Sequence, residues 1–181
     1  MIIKSLTRRR QLTIALAGSV VASAFAVAPP AISAPAEPKI TVVSFVGPNG
    51  SQPSGSPNCY TASQTFDGKA ACFGSTYVGG GLGFGSIYRT EPDGSNPKVI
   101  YSFNVFQGLM PSQSVVLGPD GATLYGTTSQ GGASGSGEIF AYNMQTRTLT
   151  RLASFTGPGG STPQGPPIIV NGTLYGLAGQ G

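Results

Sequence analysis

The sequence predicts an all-β fold, a partial array of four-stranded units with the form of β-propeller blades, about 2.5–3 of them at ~50 residues each. Three observations carry this. The chain repeats itself in register, turn residues punctuate it at short intervals, and helix signals are absent. Gly and Pro total 43 of 181 residues, and no segment after residue 37 has an apolar period near 3.6. A β-sandwich or an irregular β-solenoid would also accommodate such strands.

Shifting the chain by 52 residues lays Phe73-Gly74-Ser75-Thr76 on Tyr125-Gly126-Thr127-Thr128. Gly79-Gly80, Gly83, Gly85 and Ile87-Tyr88 then fall on Gly131-Gly132, Gly135, Gly137 and Ile139-Phe140 without a gap. A third copy begins at Leu174-Tyr175-Gly176. A second signature, Ser-Phe followed at fixed spacing by Gly and Pro, occurs at Ser44, Ser102 and Ser154. The first interval is 58 residues and the second 52, so the first copy holds six extra residues.

Within a unit, Val115-Val116-Leu117 is a compact apolar run, expected as a strand buried on both faces. Gly118-Pro119-Asp120-Gly121 turns the chain, and Thr123 to Thr128 returns. A Gly-rich loop leads to a strand from Glu138 to Tyr142, and a turn near Gln145-Thr146 leads to another from Thr148 to Phe155. In the third copy Val170-Asn171-Gly172-Thr173 replaces the longer turn. Asn-Gly favours a two-residue hairpin, since both residues must reach positive φ, and it should align Ile168–Val170 with Thr173–Tyr175.

The formal net charge is +4, but it sits in Lys4, Arg8, Arg9 and Arg10. From residue 37 onward six basic side chains face six acidic ones. The basic face that nucleic-acid binding requires is therefore missing from the repeats. Residues 1–36 read as a signal peptide: a basic segment, an uncharged apolar stretch from Leu12 to Ala28, and an Ala34-Pro35-Ala36 cleavage pattern. The rival is an uncleaved anchor, for which 17 small-residue-rich positions fall short of the ~20 that a span prefers. Arg9-Arg10-Gln11-Leu12 fits either a twin-arginine signal or an ordinary basic region. Cleavage would leave residues 37–181 as the repeat domain, without membrane attachment unless a missing C-terminus carries an anchor.

Cys59 and Cys72 are the only cysteines, and in an exported protein such a pair is expected to form a disulfide. Both lie in the stretch that holds the extra residues of the first copy. The chain contains no His, so two thiols have no partners for a tetrahedral zinc site, and no cofactor or metal is expected.

The pattern Leu124-Tyr125-Gly126-Thr127-Thr128, Gly131-Gly132, Gly135 and Gly137, with the Ser-Phe segment after it, resembles the GloVer (Gloeo/Verruco-type) tandem repeat of exported bacterial proteins. The double glycine before an apolar strand is also similar to kelch blades. The resemblance covers residues 42 to 181 and implies a propeller-like fold and a surface or secreted location, with no agreed activity. Gly181 stands level with Gly131, so the third unit lacks its second hairpin. A propeller usually closes with about 4–8 blades. The chain is accordingly expected to be a piece of a longer protein, the alternative being a self-associating partial ring.

Catalytic patterns fare poorly. The Gly-rich run lacks a phosphate-loop Lys, Phe84 spoils a dinucleotide fingerprint, and a strand rather than a helix follows. Gly132-Ala133-Ser134-Gly135-Ser136 begins like a nucleophile elbow but ends in Ser. Glu91 and Asp93 are the only acids close in sequence, and Glu91-Pro92-Asp93-Gly94 reads as a turn. Among the tyrosines, Tyr125 and Tyr175 share a repeat position and Tyr88 aligns with Phe140, which suits packing. Tyr60 and Tyr77 lie in the irregular part of the first unit and are the candidate ligand contacts. The expected function is non-catalytic binding of an extracellular protein or polysaccharide. An enzyme whose active residues lie in further repeats, or a surface spacer, are the alternatives.

Overall fold

The computed structural model describes residues 44–47, 50–106, 108–158 and 160–180. The expected signal peptide and its cleavage site lie outside these residues. The described chain is all-β with antiparallel sheets, and a short 3-10 turn lies at Ala62–Gln64.

Eleven strands follow in order: β1 Ser51–Tyr60, β2 Ala71–Val78, β3 Ser86–Thr90, β4 Lys98–Ser102, β5 Leu109–Pro111, β6 Val116–Leu117, β7 Thr123–Gln130, β8 Glu138–Asn143, β9 Thr148–Ser154, β10 Ser161–Val170 and β11 Thr173–Gln180. They make three sheets, each a simple meander. The first is β1-β2-β3-β4. The second is β5-β7-β8-β9, with β6 also on β7, and the third is β10-β11. The 52-residue register of the sequence thus becomes one sheet per unit.

The first strand of each sheet is interrupted at the same place. Register shifts fall between Ser54 and Asn58 in β1 and between Gln164 and Ile168 in β10, and in the second sheet the break separates β5 from β6. Gly55 and Pro57 occupy one interruption, Gly165, Pro166 and Pro167 another. Proline cannot donate to a ladder and is tolerated at bulges and on edge strands, which these are. The same break corrects the reading of Val115–Leu117 as a strand buried on both faces. Only Val115 is fully buried, while Val116 and Leu117 form a two-residue edge strand that pairs on one side and is partly exposed.

The Asn171–Gly172 hairpin forms as expected, with Ile168, Ile169 and Val170 opposite Tyr175, Leu174 and Thr173. Asn171 has φ 49° and Gly172 φ 76°, the double positive that this turn demands.

Sheets one and two bury a shared core. Ala71, Phe73 and Ile87 meet Val115, Leu124, Phe140 and Tyr142, with Phe103 between them. Polar links run alongside: Ser54 donates to Pro111 O at 2.9 Å, Asn58 to Val115 O at 2.8 Å and Ser75 to Gln113 O at 2.7 Å. These bonds tie the first two strands of one sheet to the first strand of the next and to the segment that follows it.

A local packing rule repeats with the units. In β2, Gly74 lies opposite Tyr88, and in β7, Gly126 lies opposite Phe140. Each aromatic ring lies over its glycine, so closely that a Cβ there would stand 2.5 Å from the Cζ of the ring in both cases. The phenyl of the preceding Ser-Phe segment packs on the same ring, Phe45 on Tyr88 at 4.5 Å and Phe103 on Phe140 at 5.2 Å between centroids. The glycine is thus demanded by a neighbouring strand, and the repeated aromatics serve packing.

Candidate functional site

The irregular part of the first unit is the β1–β2 loop, residues 61–70, against five residues in the β6–β7 connection and two in the third hairpin. Cys59 and Cys72 are direct cross-strand partners and are joined by a disulfide at the neck of this loop. Within it, the Thr65 hydroxyl donates to Lys69 O at 2.8 Å, and Arg89 Nη1 meets Asp67 Oδ2 at 2.6 Å. The Arg89 guanidinium also lies 5.6 Å from the centre of the Phe73 ring. The guanidinium of Arg89, bonded to Asp67, outweighs partial burial and holds that carboxyl below its ordinary 3.8.

The loop leans on the turn of the next unit. Phe66 N–H donates to Gly121 O at 2.9 Å. A Cβ on Gly121 would come within 2.6 Å of Gln64 O, so glycine is needed there for the close approach as well as for its φ of 65°. Between loop and turn opens a cleft of about 370 Å³, whose walls include Tyr60, Gln64, Phe66, Pro119 and Asp120.

Its chemistry is mixed. Tyr60 is half-buried, and its oxygen accepts a hydrogen bond from Leu117 N–H at 2.9 Å, which leaves the phenolic proton to donate. Gln64 Oε1 accepts from the Thr61 N–H and hydroxyl, both at 2.9 Å, and its Nε2 has no partner among the described residues. Asp120 is held by the N–H groups of Ala122 and Thr123 and, at 2.6 Å, by the Thr123 hydroxyl. Burial pushes its carboxyl upward, but these bonds from Thr123 and Ala122 prevail and set it below 3.8. Phe66, 40% exposed, is an aromatic wall. Beyond it a second cleft of about 290 Å³ runs between Arg89 and Arg147.

Tyr60 therefore reaches a cleft, and Tyr77 does not join it. Tyr60 pairs with Ala71 at one end of β2, whereas Tyr77 lies six residues further along, about 20 Å away at 3.3 Å per residue. The two tyrosines cannot touch one compact ligand. Glu91 and Asp93 occupy the expected turn: Gly94 N–H donates to Glu91 O, and Asp93 Oδ1 accepts from the Ser95 N–H and hydroxyl. Phe66, Gln64 and Asp120 were not singled out as ligand contacts from sequence. The insertion that carries the first two was visible, but its contact with the turn of the following unit is a tertiary fact.

One buried acid also escaped the sequence reading. Glu138 takes the repeat position of Ser86 and is fully buried, its Oε2 at 2.5 Å from Arg151 Nε and its Oε1 unpartnered. Arg151 Nη2 also donates to Phe106 O at 2.9 Å. The legible signal was a carboxylate inside an apolar strand, where the other copy carries a hydroxyl.

Comparison with known proteins adds one positive finding. The model of the Gloeobacter/Verrucomicrobia repeat matches residues 32–181. No curated protein and no solved structure matches the chain.

Proposed function

Since the chain belongs to the Gloeobacter/Verrucomicrobia repeat family, we propose that it is an exported, non-catalytic, propeller-type protein that binds extracellular polysaccharide at the loop end of its first two sheets. The observation that carries this is the cleft beneath the disulfide-clamped loop. Sugars are recognised by a flat apolar face and a few fixed donors and acceptors. Tyr60 and Phe66 supply rings, Gln64 and the Tyr60 hydroxyl supply donors, and Asp120 supplies a carboxylate. The second cleft shares Phe66, so a chain of sugars has a path across both. Arg147 in that second cleft favours a glycan bearing carboxylates.

Three further features support the wider reading. Antiparallel four-stranded meanders with their first strands side by side have the form of blades. A disulfide accords with an oxidising compartment. The acids closest in sequence are committed to a turn, and the chain has no His to serve as a general base.

The test is a glycan array probed with the exported chain, followed by titration of the hits. Phe66→Ala and Gln64→Ala should each weaken binding about tenfold or more, with the circular dichroism spectrum unchanged. Binding that ignores both substitutions, or turnover of any glycan, would refute the proposal.

A further inference from the structure

Among the described residues, the third sheet carries the glycine of the packing rule without a ring to cover it. Gly176 corresponds to Gly74 and Gly126, yet a Cβ built there meets nothing within 4 Å. The phenyl that should pack on the missing ring is already in place. Phe155, the third Ser-Phe residue, lines a cavity of about 240 Å³ together with Thr127, Ile139, Pro163, Leu174 and Gly176. Beside it, β11 pairs with β10 on one side only among the described residues, so its other edge presents unpaired N–H and C=O groups.

We propose that this edge and cavity form a docking site for an extended strand that pairs antiparallel with β11 and sets a Phe or Tyr opposite Gly176. The occupant is a third strand of the same repeat type, with the pattern of Gly137 to Phe140 or Gly85 to Tyr88. Two sheets already show the geometry, since Gly74 pairs with Tyr88 and Gly126 with Phe140 in equivalent registers. Backbone bonds along the edge supply affinity, and the socket for one side chain supplies selection.

The register makes a finer demand. Ser86 pairs with Thr76 and their hydroxyls share a hydrogen bond, while Glu138 pairs with Thr128, whose hydroxyl accepts from the Glu138 N–H. In the third sheet the equivalent position is Ala178, whose methyl carbon lies 3.0 Å from a Cβ built on Gly160. A charged residue two places before the aromatic would be buried against a methyl group. The preferred occupant therefore carries Ala or Ser there, and not Glu.

A synthetic peptide of residues 134–143 carrying Glu138→Ala, added to the full exported chain, tests this by titration and amide exchange. It should bind and slow exchange of the backbone amides of 174–180. The unmodified Glu138 peptide and one carrying Phe140→Ala should each bind roughly tenfold more weakly. Gly176→Val in the protein should abolish binding while the Asn171–Gly172 hairpin keeps its protection. Equal binding of the Phe140→Ala peptide, protection elsewhere than β11, or a dimer of the chain that fills the edge without an aromatic would each overturn the proposal. The cleft beneath the loop is not involved, so glycan binding can fail or succeed independently.

Discussion

Glu138 and Arg151 show what one substitution within a repeat entails. At the equivalent place Ser86 shares a hydrogen bond of 2.8 Å with Thr76, a neutral arrangement that costs little. A carboxylate at the same depth must be charge-paired, and Arg151 reaches it at 2.5 Å from the adjacent strand. Removing only the cation leaves a buried charge without compensation. Arg151→Ala should therefore lower unfolding stability by about 3 kcal/mol. Glu138→Ser added to that variant should restore most of the loss, because it reinstates the chemistry of the other copy. Urea denaturation of the three proteins measures this, and a double variant no better than Arg151→Ala alone would disprove it. Sequence reveals such a residue only as an anomaly of alignment. Its burial depends on which face of β8 meets the first sheet.

The β1–β2 loop is the element on which the candidate site depends, and it is held by separable devices. The disulfide closes its neck, and Arg89 ties Asp67 to the sheet. The Asp67 carboxyl has a folded pKa below its ordinary value of 3.8. Its contribution to the folded loop is thus fully present above that value and is lost as pH falls through the lower folded value. Acidification below pH ~4 should loosen residues 61–70 before the sheets unfold, seen by nuclear magnetic resonance as selective broadening or shift of loop amides. Asp67→Asn should show the loosened loop already at neutral pH and no further change on mild acidification. A loop that responds to acid equally in wild type and variant would rule this out. The cysteine pair and the irregular insertion were legible in the sequence, because a fixed register exposes any departure from it. The strands and the Asn-Gly turn were legible for the same reason and from turn chemistry. The interruption of every first strand was not, since Pro and Gly mark a bulge only once the pairing partner is known. Tyr60 and Tyr77 share the irregular part of the first unit, and only strand pairing separates them to opposite ends of β2.

At the scale of the molecule, each described sheet has one face against the next, until the third. Ile168, Val170, Tyr175 and Leu177 share a face of that sheet and are exposed, Leu177 by 74%. Apolar patches of this kind on soluble proteins drive association. The chain should self-associate with rising concentration, and Ile168→Thr with Leu177→Lys should reduce this without altering the circular dichroism spectrum. Light scattering across a concentration series decides it, and a wild-type chain that stays monomeric at high micromolar concentration would exclude it. Unit number and register were readable from sequence, as was the all-β class. Which face each unit turns to its neighbour was not, because alternation gives two faces without saying which is shared.

Gly121 belongs to the second unit, yet the room it leaves is filled by Gln64 and Phe66 of the first. Tandem repeats invite the idea that modules can be duplicated, deleted or reordered freely in evolution. Here the accommodation for one unit's ornament is encoded in the unit that follows it. A copy inserted between them with any side chain at the Gly121 position would displace the loop, so recombination at that junction would be selected against while other junctions remain open. Serial order, and not only the content of each module, is then heritable information in this chain.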